Sequence, residues 1–239
     1  MMSEAEKDRP DKICPHCGKP QTPRVVPYQG KNYYMGFHNC NCPGAEAERE
    51  ALKQMEERKA EIAAKKEHAR RLELSGIPLI YRDAHADVDR YAAMIDAHKS
   101  IVFNGPVGVG KSHLASAIGV ALIDRMTVRF TNGTQISASV FSNSGSELNF
   151  TTCGLLILDD LGKEHMSEWM VSVLYRIING RYERNLPVIV TTNYSYGSLA
   201  EHMTVNVDHT TADAIVSRLR EMANLPITLK GPDKRLQGR

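Results

Sequence analysis

Residues 105–112 read Gly-Pro-Val-Gly-Val-Gly-Lys-Ser, and this stretch decides the fold. It matches the pattern G-x-x-x-x-G-K-[ST], in which backbone N–H groups surround phosphate oxygens. The apolar residues 101–104 before it predict a strand, and the spacing over 112–124 predicts a helix. The motif requires these two elements on its two sides, because the N-terminus of the helix adds partial positive charge where the phosphates lie. A chance glycine-rich turn is therefore the weaker interpretation.

Each residue type in this loop has a separate task. Glycines let the backbone approach an anion without a Cβ clash. Lys111 supplies a full charge to the β- and γ-phosphates, and the Ser112 hydroxyl is a ligand for Mg²⁺. We expect nucleotide contacts from Gly105, Pro106, Val107, Gly108, Val109, Gly110, Lys111, Ser112 and His113.

Short apolar runs alternate with helical patterns on the C-terminal side of residue 100. The runs are rich in β-branched residues and occupy residues 101–104, 127–131, 155–160, 188–193 and 227–229. Strands that alternate with helices indicate a parallel sheet covered by helices on both faces. The predicted class is therefore α/β.

Two acids end the run Leu155–Asp160. Carboxylates are costly at the end of a buried strand unless they meet a cation there. We predict that Asp159 coordinates Mg²⁺, through water, and that Asp160 orients or polarises an attacking water. The alternative is that both acids cap the following turn.

Two further polar residues are candidates for catalysis. Asn193 ends the run 188–193, so it would lie beside the γ-phosphate if that strand sits between the other two. Arg218 lies on a predicted helix over 212–222, from which it could reach the nucleotide of a neighbouring subunit. A turn residue and a solvated arginine are the respective alternatives.

Four of the five cysteines form two close pairs near the N-terminus. Cys14 and Cys17 are spaced C-x-x-C, and Cys40 and Cys42 are spaced C-x-C. Two such pairs in a short segment predict a structural four-thiolate Zn²⁺ site, whose binding energy would fold a segment too small for its own core. Redox chemistry is the rival interpretation, but Pro20, Pro23 and Pro27 argue against the strand–helix context that it needs.

Composition limits the function classes. The chain has 239 residues, and 30 Lys and Arg against 28 Asp and Glu leave a net charge of +2, which excludes an overall polybasic binder. No apolar run approaches the ~18 residues that span a bilayer, and the N-terminus has no secretory signal pattern. We expect a cytoplasmic protein with no membrane partner.

Residues 1–44 are predicted to be a zinc-binding module, 45–76 a connecting helix, and 77–239 the nucleotide-binding domain with a short basic tail.

Taken together, these motifs resemble the DnaC/DnaI family of replicative helicase loaders, which are AAA+ ATPases. The resemblance rests on the cysteine pairs, the phosphate loop, and the stretches Leu74–Ala84, Leu155–Gly162, Val190–Asn193 and Ala214–Met222. It implies an AAA+ P-loop domain, ATP as the nucleotide, and self-association through that domain. It also implies single-stranded DNA as a partner, and a DnaB-type helicase bound through the N-terminal module.

The resemblance also suggests roles for single residues. Asn193 resembles the family's sensor 1 residue, and Arg218 resembles its trans-acting arginine finger. Two features depart from the family. The acid after Asp159 is aspartate instead of glutamate, whose longer side chain suits faster hydrolysis. The segment 131–154 is short and rich in Ser, Asn, Thr and Gly, where the family places longer helices that face DNA.

Two other functions fit the same residues. One is an IstB-like transposition helper, which is an ATPase that acts on duplex DNA beside a transposase. The other is an adaptor that binds nucleotide without hydrolysing it. The cysteine pairs favour the loader over the helper, because the helper typically begins with a helical segment.

Overall fold

The computed structural model describes residues 12–141, 146–163, 167–203 and 209–234. These residues form two compact units, Met1–Lys66 and Glu67–Arg239, and helix α1 (Pro43–Ser75) belongs in part to each. Among the described residues, no helix combines the length and the apolar character needed to cross a bilayer.

The first unit contains a β-hairpin that the sequence did not predict. Strands β1 (Pro23–Tyr28) and β2 (Lys31–Phe37) pair antiparallel, with Val26 opposite Tyr33. Two prolines lie within β1, and a two-stranded hairpin accommodates them because both of its strands are edge strands, where proline is tolerated. Every residue of β1 is exposed, so this hairpin has no apolar core of its own.

The second unit confirms the predicted α/β fold. Its sheet contains β3 (Ile101–Asn104), β4 (Val128–Asn132), β5 (Leu155–Leu161), β6 (Val188–Thr192) and β7 (Ile227–Thr228). The strand order is β4-β5-β6-β3-β7 and all pairings are parallel. The strand β6 therefore lies between β5 and β3, which was the condition for bringing Asn193 to the phosphates.

Helices cover both faces of this sheet, as the alternation predicted. They are α2 (Asp89–Asp96), α3 (Lys111–Leu122), α4 (Gly133–Phe141), α5 (Ser146–Thr152), α6 (Glu168–Glu183), α7 (Tyr196–Met203) and α8 (His209–Ala223), with a short 3₁₀ helix over Leu79–Tyr81. The sequence had given no helix between residues 131 and 154, where α4 and α5 lie.

Strand β5 shows how the core is divided. Leu155 and Ile157 pack with α2 and α3 on one face, whereas Leu156 and Leu158 pack with α6, α7 and α8 on the other. Successive strand residues point to opposite faces, so a strand buried on both sides must be apolar throughout. This requirement explains the uninterrupted run of four apolar residues before the two acids.

A fully buried arginine of α6 forms hydrogen bonds with two other segments of this unit. Arg181, near the end of α6, donates hydrogen bonds from Nη1 to the Phe150 and Cys153 carbonyls (2.7 and 3.0 Å) and from Nη2 to the Pro187 carbonyl (2.6 Å). It therefore fixes the chain just before β5 and just before β6. Cys153 is buried beside it, and burial raises the pKa of its thiol.

Candidate nucleotide site and cysteine cluster

The phosphate loop has the strand and the helix that its motif requires. It leaves β3 at Asn104 and enters α3 at Lys111. Gly108 and Gly110 have φ values of +79° and +100°, in the left-handed region that glycine adopts without a steric penalty. The loop and the first turn of α3 border a cavity of about 350 Å³ at the carboxyl edge of the sheet.

Lys111 links the loop to strand β6. Its side chain is buried, and its Nζ donates hydrogen bonds to the carbonyl oxygens of Gly105 (2.9 Å) and Pro106 (2.8 Å) and to Oδ1 of Asn193 (2.8 Å). The predicted proximity of Asn193 to the phosphate loop is therefore present in the structure. A γ-phosphate that binds Lys111 would compete with Asn193 for the same ammonium group.

Asp159 lies behind Ser112 and faces two hydroxyl groups. Its Oδ1 accepts a hydrogen bond from Thr191 (2.6 Å), and its carboxylate also accepts one from Ser112. Burial raises the pKa of this carboxyl, and these two hydrogen bonds act against the shift. Hydroxyl and carboxylate oxygens are the ligands that Mg²⁺ prefers, so Ser112 and Asp159 together fit the predicted magnesium pair.

Asp160 borders the cavity itself. Its φ of +53° places it in the left-handed region, and the register of β5 against β6 shifts at this point. Its carboxylate forms an ion pair with Lys163 (3.3 Å), which also borders the cavity. The backbone N–H of Asp160 donates to Oγ1 of Thr191 (2.8 Å), so one threonine contacts both acids.

Three residues of the cavity were not assigned a role from the sequence. They are Tyr81 in the 3₁₀ helix, Lys163 after β5 and Lys234 after β7. The ring of Tyr81 lies edge-on to His113, with 6.3 Å between their centroids. Tyr81 belongs to the stretch Leu74–Ala84 that carried the family resemblance, and this membership was the signal that could have found it.

Arg218 packs against α6 of its own chain. Its Nε donates to Oδ1 of Asn179 (2.6 Å), and its guanidinium lies 4.9 Å from the centroid of the Tyr175 ring. This side chain is thus held by contacts within its own chain, on the surface formed by α6 and α8.

The four N-terminal cysteines converge on one point. The Sγ atoms of Cys14, Cys17, Cys40 and Cys42 all lie within 4.8 Å of one another. Cys14 is 3.7 Å from Cys42, and Cys17 is 3.5 Å from Cys40. Four sulfurs at the usual Zn–S distance of about 2.3 Å form a tetrahedron with edges of about 3.8 Å. The cluster therefore fits a Zn²⁺ ion, with all four positions filled by protein.

Local contacts shift the pKa values of two thiols of this cluster in opposite directions. The backbone N–H of Cys42 acts to lower the pKa of Cys40, but a hydrogen bond with Cys17 and burial outweigh it and raise that pKa. Burial acts to raise the pKa of Cys14. The backbone N–H groups of His16 and Cys17 and hydrogen bonds with the neighbouring thiols outweigh this effect, and the pKa falls to about 6. His16 itself is turned toward Glu48 on α1, with Nε2 2.8 Å from the carboxylate. The histidine is therefore engaged elsewhere, and the four cysteines are the residues that could hold a metal ion here.

Comparison with known proteins agrees with this geometry. Residues 86–239 match the family described as IstB-like ATP binding protein, and the chain belongs to this family of P-loop AAA+ proteins. A curated relative, the insertion sequence IS21 putative ATP-binding protein of Pseudomonas aeruginosa, is 30% identical over 152 residues. The alignment covers 61% of this chain and 56% of the relative, so this chain spans little more than half of the relative's length.

Two solved structures share the fold. The crystal structure of DnaI aligns with a TM-score of 0.57 and 25% identity, over 66% of this chain and 94% of that one. The crystal structure of the DnaC helicase loader aligns with a TM-score of 0.52 and 24% identity, over 64% of this chain and all (100%) of that one. The AAA+ part of the sequence interpretation is thus confirmed, and the sequence relatives belong to insertion sequences.

Proposed function

We propose that this chain is an ATP-dependent loader that delivers a DnaB-type replicative helicase to single-stranded DNA. The observation that carries the proposal is the four-thiolate cluster and its hairpin on the N-terminal side of an AAA+ domain. The DnaC helicase loader shares the fold of that domain, and the cysteine pairs stand outside residues 86–239, which match the IstB-like family.

The N-terminal hairpin is our candidate for the helicase contact. Val26, Tyr28, Tyr33 and Met35 are large apolar or aromatic side chains that are between 41% and 64% exposed. Exposed apolar side chains grouped in this way are typical of protein interaction sites. Zn²⁺ would supply the folding energy that the hairpin lacks, through Cys14, Cys17, Cys40 and Cys42.

The nucleotide site would act as the switch. Lys111 and the loop N–H groups would hold ATP, and Ser112 and Asp159 would hold Mg²⁺, which neutralises phosphate charge when bound. Asp160 would orient the attacking water, Asn193 would respond to the γ-phosphate, and Arg218 would complete the site of a neighbouring subunit. Hydrolysis or release of ATP would then free the helicase in the cytoplasm.

Co-purification with the replicative helicase of the same cell tests the loader. We expect a complex with the full-length chain in the presence of ATP. Replacing Tyr33 and Met35 by serine should weaken it at least tenfold, whereas the matched change Leu52→Ser, at an exposed position of α1, should leave it intact. Absence of any complex, with and without ATP, would contradict the proposal.

The second candidate is a transposition helper that acts on duplex DNA. The family match and the insertion-sequence relatives favour it. This function predicts tight, ATP-dependent binding to duplex DNA, with filaments visible by electron microscopy, and no affinity for the helicase. Measuring both affinities on one preparation separates the two candidates.

A further inference from the structure

The segment that follows β7 runs back along the phosphate loop. The backbone N–H of Leu229 donates to the carbonyl oxygen of Asn104 (2.8 Å), and the backbone N–H of Lys234 donates to that of Gly108 (3.0 Å). A Cβ built at Gly105 would collide with the Leu229 carbonyl oxygen, and one built at Gly108 would collide with the Asp233 carboxylate. The segment 229–234 is therefore held against the loop at both of its ends.

This attachment brings one side chain of the segment to the cavity. Lys234 borders it together with Gly108, Gly110 and Lys111, and its Nζ would be 3.4 Å from a Cβ built at Gly110. Gly110 is the N-cap of α3, where the loop N–H groups that surround phosphates converge. The ammonium group thus stands at the positive end of a helix, close to Lys111. Cations are disfavoured at that end. The Asp233 carboxylate at Gly108 and a bound phosphate are the anions that would offset this positive charge.

We propose that Lys234 is a nucleotide-binding residue, supplied by the same chain, that contacts the phosphates held by residues 108–112. The inference rests on the proposed function in one respect, namely that the cavity binds a nucleotide. Lys234 lies beside the backbone of the loop, where the α- and β-phosphates are held. The affinities for ATP and for ADP should therefore depend on Lys234 to a similar degree.

Equilibrium binding of ATP and ADP with Mg²⁺ tests this role on the full-length chain. We expect Lys234→Ala to weaken both nucleotides about tenfold at low ionic strength, which is typical for the loss of one charge-assisted hydrogen bond. The effect should fall below about threefold in 0.5 M salt, because the contact is open to solvent. Lys234→Arg should restore most of the affinity. Lys230→Ala is the matched control: it removes the same charge from the same segment, outside the cavity lining.

Thermal unfolding without nucleotide separates binding from a structural role. Lys234→Ala should leave the unfolding temperature of the nucleotide-free protein unchanged and reduce only the rise caused by ATP. Equal affinities for Lys234→Ala and Lys230→Ala would overturn the inference, as would a loss of stability in the nucleotide-free protein. The assay contains neither helicase nor DNA, so its failure leaves the loader proposal standing. A missing helicase complex, in turn, leaves the Lys234 result standing.

Discussion

Asn193 and Lys111 are in contact through a 2.8 Å hydrogen bond. A γ-phosphate that binds the Lys111 ammonium group would compete with the Asn193 amide for it. This competition is the basis of the response to the γ-phosphate that we propose for Asn193. Asn193 directly follows β6, which is the central strand of the sheet. The proposed response to the nucleotide would therefore start at a rigid element.

This contact gives a prediction for Asn193→Ala. We expect the rate of ATP hydrolysis to fall about 10- to 100-fold, because the polar group that would contact the γ-phosphate side of the site is lost. The affinity for ATP should change less than about threefold, since Lys111 keeps its place in the loop. Steady-state hydrolysis and nucleotide titration measure the two effects. Ser198→Ala, at an exposed position of α7, is the control and should change neither. A parallel loss of binding and rate would contradict the assigned role.

Asp159 gives a prediction about stability and pH. Burial raises its pKa, so the folded protein holds this proton more tightly than the unfolded chain does. Its contribution to stability is therefore greatest below the unfolded pKa and is lost as the pH rises through the folded value. At neutral pH the ionised carboxylate destabilises the nucleotide-free protein.

We accordingly expect Asp159→Asn to raise the unfolding temperature without nucleotide at pH 7, by about 2 °C. The difference from wild type should shrink toward pH 4, and the variant should lose the extra stability that Mg²⁺ and ATP give the wild type. Thermal scans with and without Mg²⁺ and ATP measure both effects. A lower unfolding temperature of the variant at pH 7 would show that the carboxylate stabilises the fold.

At the scale of elements, the cysteine cluster is the part whose folding depends most on a ligand. The hairpin strand β1 is exposed along its whole length, so it has little buried apolar area to stabilise it. We expect one Zn²⁺ per chain by elemental analysis. Cys17→Ser should lower that content and make residues 12–44 sensitive to protease, whereas nucleotide binding should persist. Cys153→Ser should retain the metal, and a zinc loss in that variant would contradict the four-cysteine assignment.

The elements that could be predicted are those whose burial requires a recognisable pattern of apolar residues in the sequence. The five strands of the sheet and helix α3 follow from apolar runs and helical spacing, since both faces of the sheet must be covered. Helices α4 and α5 were missed because their Ser, Asn and Thr residues have weak helix propensity and tertiary packing decides their structure. The hairpin was missed because β1 is exposed along its whole length, so its sequence lacks the alternation of apolar and polar residues that marks a half-buried strand.

The residues of the candidate site also fall into those that the sequence could predict and those that it could not. Lys111, Ser112, Asp159 and Asn193 could be found because local motifs fix them. Lys163 and Lys234 could not, because they reach the cavity only through the path of the chain after β5 and after β7. Arg181 could not either, since a charged residue on a helix is usually solvated and its carbonyl partners come from two other segments.

At the scale of the whole molecule, Arg218 predicts a dependence of activity on assembly. Its position on α8 is fixed by contacts with Asn179 and Tyr175 of α6, and the proposed function assigns it to a neighbour's nucleotide. We expect Arg218→Ala to reduce hydrolysis at least tenfold while ATP affinity stays within about twofold. Mixing this variant with Lys111→Ala should restore part of the activity, because each protein supplies what the other lacks. Arg220→Ala is the control, and no restoration on mixing would contradict a role in trans.

The left-handed backbone at Asp160 also explains a choice of amino acid. Aspartate and asparagine adopt positive φ more readily than residues with longer side chains, because their short polar groups can bond locally. Lengthening this acid to glutamate, the residue common in AAA+ motors, would add about 1 kcal/mol of conformational strain at this position. If Asp160 orients the attacking water, as we propose, its positive φ would favour the shorter acid, whose shorter reach would slow hydrolysis and prolong the ATP-bound state.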